Sequence, residues 1–407
     1  MPNDSSNFPQ AEIARHLRAY RCIALILQGG GALGAYQAGV HSALLEAGIR
    51  PNWLAGISIG SINAAIIAGN PPERQAERLR EFWETITSEV VPPWLSSIGD
   101  RGAINALSSL HALYLGQKGF YEPRLPPPLV PFQGVLGGRS YYDIRPLKST
   151  LERLIDFDRI HAKAVRLSVG AVNVRTGNFS YFDNTAVRIR PEHIMASAAL
   201  PPGFPPIEIG GEFYWDGGLV SNTPLQYVLD FEPRMDTLAF QVDLWSAQGP
   251  LPDNLGQVFE RQKDIGYSSR TRYNTDQIAK MQKIRCGIDR LLSKLPDSLS
   301  SEPEVALLKE FRSTAVMNII QLIYRVKDYE TFSKDYEFSR TSMHEHWQAG
   351  YDDTAQTLSH PNWLAPPAPT VGVKTHDIHR HKEGRGGEEP VCQAPSMARM
   401  RATHQPA

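Results

Sequence analysis

The sequence predicts an α/β fold that opens with a βαβ unit, and three observations near its start predict it. Residues 23–27, Ile-Ala-Leu-Ile-Leu, form a short unbroken apolar run, as expected of a strand buried on both faces of a parallel sheet. The run ends in Gln28 and the triplet Gly29-Gly30-Gly31. Residues 32–47 then carry Leu33, Tyr36, Val40, Leu44 and Leu45 on one helical side and stop at Gly48. A second short strand over 52–55 leads directly to Ser58.

Further along, residues 61–69 read as a tightly packed helix of small and apolar residues with a glycine stop, and 74–86 read as another helix. Residues 87–140 hold Pro92-Pro93-Trp94 and Pro126-Pro127-Pro128, with Tyr114, Phe120, Tyr121 and Phe132 between. Their prolines predict an irregular insertion without long helices. Its aromatics either line a substrate channel or pack on one another at the surface.

Regular structure resumes with a helix over 147–155. Strands follow over 165–174 and 178–182, joined across Arg175-Thr176-Gly177. A short helix at 194–199 is stopped by Pro201-Pro202. A hairpin pairs 207–209 with 213–215 across Gly210-Gly211, and a buried strand runs over 236–244. Residues 256–294 and 303–327 predict helices, the second from the spacing of Val305, Leu308, Phe311, Ala315, Ile319 and Leu322. After about Ala365 the composition turns to Pro, Gly and charge, which predicts disorder. The expected organisation is an N-terminal tail (1–20), a main α/β domain (21–245) that includes the irregular insertion at 87–140, a helical C-terminal extension (246–365) and a disordered tail (366–407).

Composition excludes several classes. With 407 residues the chain can bury a large core. A net charge of −1 with 21 % charged residues gives no reason to expect a nucleic-acid partner. Cys22, Cys286 and Cys392 are odd in number and far apart, so they predict thiols rather than a disulfide framework. The first twenty residues carry Asp4, Glu12, Arg15 and Arg18 and show no signal peptide, and no apolar run is long enough to span a membrane. The expectation is a soluble cytoplasmic protein, with peripheral membrane contact as an option.

Two motifs point to nucleophilic chemistry. Gly56-Ile57-Ser58-Ile59-Gly60 places a serine between glycines at the end of a strand and the start of a helix. A sharp turn there pushes the hydroxyl outward, and a Cβ on either side would crowd it. Gly29-Gly30-Gly31-Ala32-Leu33-Gly34 also contains G-x-G-x-x-G, the dinucleotide fingerprint. That reading needs an acidic residue near the end of the second strand, and none lies between Glu46 and Glu73. Read instead as free N–H groups at the opening of a helix, the triplet can cradle an oxyanion, the alternative being a tight turn needed only for helix–sheet packing. Asp216-Gly217-Gly218 adds a carboxylate at the end of a strand.

With these residues in their order the chain resembles the patatin-like phospholipase family of serine lipid acyl hydrolases. The resemblance covers about residues 21–243 and includes Ala196-Ser197-Ala198-Ala199-Leu200-Pro201-Pro202 ahead of the aspartate. The C-terminal part looks like the extension of one bacterial branch. The resemblance implies a three-layer α/β/α sandwich with a mainly parallel sheet, and a Ser–Asp dyad without histidine or cofactor. Ser58 would attack an acyl ester, Asp216 would act as base, and the amides of Gly30 and Gly31, with Gly29, would hold the oxyanion. Gly34, Gly56, Gly60, Gly217 and Gly218 are the matching motif glycines. Where many members carry Arg or Lys around the glycine loop, this chain has Ala32-Leu33-Gly34-Ala35. No side chain from that position reaches a headgroup.

Competing readings stay open in the sequence. A Ser–His–Asp triad would draw on His344, His346 or His360, all beyond Asp216. A catalytically inactive lipid-binding protein would keep the motifs without turnover. His376, His379 and His381 have spacing that permits a weak metal site but fall in the expected tail. Ser61 and Asn63 read as packing or capping residues. Arg270, Arg272 and residues 280–290 read as a solvated basic face, with anionic lipid as the alternative partner.

Overall fold

The computed structural model describes residues 8–89, 100–125, 139–268 and 271–378. Among them the strands are β1 (Cys22–Leu27), β2 (Trp53–Ile57), β3 (Glu122–Pro123), β4 (Tyr142–Asp143), β5 (Arg166–Asn173), β6 (Phe179–Asp183), β7 (Ile207–Ile209), β8 (Glu212–Asp216), β9 (Thr237–Asp243), β10 (Met317–Ile323) and β11 (Val373–Asp377). The first helices are α1 (Gln10–Leu17), α2 (Ala35–Glu46), α3 (Ile59–Ala68), α4 (Pro72–Ile86), α5 (Arg101–Leu115), α6 (Arg145–Leu154) and α7 (Phe157–His161). They are followed by α8 (Pro191–Ser197), α9 (Leu225–Leu229), α10 (Leu255–Tyr267), α11 (Thr271–Leu292), α12 (Pro303–Phe311) and α13 (Arg340–Leu358).

The main sheet runs β11-β10-β9-β1-β2-β5, all parallel, and is completed by the antiparallel β6, β8 and β7. Side chains alternate through it, as the two-residue period of a strand requires. Leu25 and Leu27 join the larger core beneath α2, α3 and α4, whereas Ala24 and Ile26 join a smaller core with Leu225, Val228 and Leu229 of α9. Helices therefore cover both faces, and the fold is the expected three-layer α/β/α sandwich.

Register at β5 positions the site. On one edge β5 pairs with β6. On the other, Gly170 pairs with Ile57 at the end of β2, and the next residue, Ala171, pairs with Asp216 at the end of β8. The two strands run toward each other along one edge of β5 and stop head to head. A Cβ on Gly217 would lie 2.8 Å from the Gly170 carbonyl oxygen, so the chain beyond β8 has no room for a side chain there.

Three expectations are corrected. The proline-rich stretch contains a fifteen-residue helix, α5, because its prolines cluster at the two ends and leave 101–115 free of them. Pro92, Pro93, Trp94, Pro126, Pro127, Pro128 and Phe132 lie outside the described residues. The second C-terminal helix ends at Phe311, and Met317–Ile323 is a strand buried between β9 and β11. Its apolar run fits both a helical and a strand period, and pairing on two sides decides it. Residues 373–377, expected to be disordered, form β11, in which Val373, His376 and Asp377 are buried. His379, His381 and Cys392 lie outside the described residues; Cys22 and Cys286 are buried free thiols.

Candidate active site

Ser58 sits at the junction of β2 and α3 with φ 54° and ψ −127°, a left-handed conformation rarely adopted by a residue with a Cβ. The two flanking glycines make the junction sterically feasible. A Cβ on Gly56 would approach the Gly60 carbonyl oxygen to 2.3 Å, and one on Gly60 would approach that of Leu27 to 2.3 Å. The Ser58 amide donates to Ser197 Oγ (3.0 Å), and Ser61 Oγ donates to the Ser58 carbonyl (2.6 Å). Ser61 is thus engaged with the backbone of the turn. Asn63 is buried and donates to Gly34 O (3.0 Å) and Gln37 Oε1 (2.9 Å), which ties α3 to the glycine loop.

Asp216 is 1 % exposed. Its carboxylate accepts hydrogen bonds from the Ser58 hydroxyl and from the Gly218 amide, the latter at 2.7 Å. Burial pushes its pKa up to about 7, against the opposing pull of those two donors. Gly218 is tightly enclosed, since a Cβ there would lie 3.0 Å from Asn222 Oδ1.

The glycine loop closes the third side. A Cβ on Gly29 would lie 2.9 Å from Ser58 Cβ, one on Gly30 would strike Leu244, and one on Gly34 would strike Ile59. Gly31 has φ 55°. The Gly29 amide donates to the Asn222 carbonyl (3.3 Å), so Gly29 is not a free donor as the sequence suggested. Among the described residues no acceptor takes the amides of Gly30 and Gly31. Sequence reasoning missed the residues that fix this loop. Gln28 Oε1 accepts from the amides of Leu244 (2.6 Å) and Trp245 (3.0 Å), while Asn222 Nδ2 and Trp245 Nε1 donate to Gly29 O at 3.0 and 2.8 Å. Gln28 did carry a signal: a buried-looking strand that ends in an amide side chain before a glycine loop.

Ser58, Asp216 and the loop open onto a cavity of about 260 Å³. Its walls are mainly apolar. Phe120, Tyr121, Tyr142 and Phe204 form one aromatic cluster with ring centroids 4.8–6.0 Å apart, and Phe338 extends it. Phe120 and Tyr121 therefore follow the channel reading, whereas Tyr114 is exposed. Trp245, Tyr267, Asp335 and Tyr336 also line the cavity, all from beyond the expected catalytic boundary except Trp245.

Among the described lining residues there is no histidine, lysine or arginine. His344 and His360 are exposed, and His360 stacks on Trp363. His346 is buried with its Nε2 2.6 Å from Glu330 Oε1. His376 is buried in β11 and stacks on Trp363. No group of three potential metal ligands occurs among the described residues.

A 71-residue stretch is 42 % identical to patatin-like phospholipase domain-containing protein 6 of Mus musculus, and the same holds for the proteins of that name from Homo sapiens and Pongo abelii. The stretch is 17 % of this chain and only 5 % of each relative. VipD from Legionella pneumophila aligns over 83 % of this chain and 67 % of its own, with 14 % identity and a TM-score of 0.38. Residues 265–370 match a family model described as patatin phospholipase. Residues 25–229, half of the chain, match the model described as patatin-like phospholipase, and the chain belongs to that family.

Proposed function

We propose that the protein is a serine lipid acyl hydrolase of the phospholipase A or esterase type that works through a Ser58–Asp216 dyad and serves lipid catabolism. One observation carries the reading. A buried carboxylate with a pKa near neutrality accepts a hydrogen bond from a serine hydroxyl beside two free backbone amides. A carboxylate with its ordinary pKa is a weak base for an alcohol, and desolvation is what brings it into range. Ser58 Oγ attacks the ester carbonyl while Asp216 takes its proton. The Gly30 and Gly31 amides hold the oxyanion, a contribution worth about 3 kcal/mol per donor at such sites. Collapse expels the alcohol with the proton from Asp216 and leaves Ser58 acylated. Asp216 then deprotonates a water that attacks the acyl carbon, and the acid departs as Ser58 regains its proton.

The apolar lining suits an acyl chain. A cytoplasmic enzyme working at the surface of lipid aggregates is part of the same proposal. Leu107, Leu110 and Tyr114 of α5 are exposed on one helical stripe, and Leu113 of the same helix lines the cavity. No helix among the described residues is long and apolar enough to cross a membrane.

The deciding experiment is labelling with a fluorophosphonate, followed by peptide mapping. The expected outcome is one adduct on the Ser58 peptide, absent in Ser58→Ala and much slowed in Asp216→Asn, with ester hydrolysis lost in parallel. A folded protein that takes no label would sink the reading.

A further inference from the structure

The segment between β10 and α13 reaches back over the glycine loop. The Asp335 carbonyl oxygen accepts from the Ala32 amide at 2.8 Å, and a Cβ on Gly31 would lie 2.0 Å from it. Helix α10 holds that segment through charges at a three- and four-residue spacing, which puts them on one face. Lys334 Nζ lies 2.9 Å from Glu260 Oε1 and 2.8 Å from Asp264 Oδ1, with its side chain 1 % exposed. Between them on the helix, Lys263 Nζ lies 2.6 Å from Asp335 Oδ1 and also donates to the Phe332 carbonyl (3.0 Å). The pairing is alternate in sign, so a shift of the segment along α10 would set like charges together. Lys334 also lies over the Trp245 ring at 5.5 Å, and Trp245 Nε1 donates to Gly29 O. The glycine loop is thus gripped at Gly29 and at Ala32 from one charged clasp, and the amides between those grips are the unpaired ones.

We propose that the Lys334–Asp335 segment, clasped to α10, is a strap that holds the glycine loop in the shape leaving Gly30 and Gly31 free to bind an oxyanion. Lys334 and Asp335 are accordingly positioning residues for the reaction, acting through Ala32 and Trp245 without touching the acyl group's reacting atoms. A fixed pair of donors stabilises developing charge because nothing has to reorganise as the charge forms, and a loosened loop loses that. The inference rests on the hydrolase reading for its catalytic meaning and on geometry alone for the strap.

The test uses the full chain with Lys334→Met, Lys334→Arg and Asp335→Asn, the last retaining the main-chain carbonyl and serving if Lys334→Met does not fold. Hydrogen exchange of the peptide spanning 29–34 reads the strap without turnover. Exchange about ten-fold faster in Lys334→Met and Asp335→Asn is expected, and unchanged exchange in folded variants overturns the strap. Kinetics on a soluble nitrophenyl ester, normalised to fluorophosphonate-labelled sites, read its role. The expectation is kcat down by about ten-fold or more, KM within about two-fold, the pH inflection unmoved, and recovery in Lys334→Arg. Faster exchange with unchanged kcat per labelled site overturns the positioning role. A wild-type chain without label or turnover, whose variants still exchange faster, overturns the hydrolase reading and leaves the strap standing.

Discussion

Asp216 works against the stability of the protein that uses it. In the unfolded chain its carboxyl loses its proton near pH 3.8, whereas burial in the native site delays that to about 7. The native state therefore binds the extra proton between those values. Its contribution to stability is complete below pH 3.8, falls as pH rises, and is gone above 7. Asp216→Asn removes the charge with little change of shape. At pH 8 it is expected to be more stable than wild type by roughly 3–4 kcal/mol, with the gap closing toward pH 4, and to be inactive. Urea midpoints at the two pH values check the first part; an equal gap at both would show that desolvation of Asp216 is not the cause. On the proposed mechanism hydrolysis needs the ionised carboxylate, so kcat is expected to rise with pH through about 7, and a pH–rate profile checks it. At this scale the sequence was most legible for residues whose backbone demands glycine neighbours, such as Ser58. Gln28, Asn222 and Asp335 follow no spacing rule, because each acts on the loop through a contact that only folding creates.

Elements were legible where one period dominated. The apolar run of β1, the elbow helix α3 and the β7–β8 hairpin lie where the sequence put them. β10 was lost because Ile319 and Leu322 satisfy a helical spacing as well as a strand, and the neighbours that settle it lie 80 residues earlier, in β9, and 56 later, in β11. α5 was lost because proline content was averaged over a window wider than the helix. Its outward stripe now carries a prediction of its own. Leu110→Ser with Tyr114→Ser should leave hydrolysis of a soluble short-chain ester within about two-fold of wild type, since neither residue lines the cavity. The same pair should weaken binding to lipid emulsions or vesicles by about a hundred-fold or more if both side chains insert fully, because each buried apolar side chain is worth about 1.5–3 kcal/mol. Equal vesicle binding by the double variant would remove α5 from the lipid-contact reading.

Across the whole molecule, the boundary expected near residue 245 does not divide the sheet. β10 and β11 continue it beyond β9, and α13 lies against α2 so closely that Cβ atoms on Gly39 or Gly350 would meet opposing backbone at 1.8 and 2.0 Å. Residues after 366, expected to be disordered, include a strand that covers the edge of β10. A chain ending at Pro366 should therefore melt at least several degrees lower and aggregate more readily, because an apolar parallel strand is left as an open edge. An unchanged melting temperature would show that β11 adds nothing to the sheet.

The head-on meeting of β2 and β8 has one more consequence. Both strands butt against adjacent rungs of β5, which acts as a ruler for the gap between hydroxyl and carboxylate. Bending or breathing of the sheet carries both ends together, so the spacing survives distortions that would separate groups mounted on independent loops. A single residue inserted into β5 at Gly170 or Ala171 would instead lengthen the ruler by about 3.3 Å, enough to part Ser58 from Asp216 with neither residue replaced.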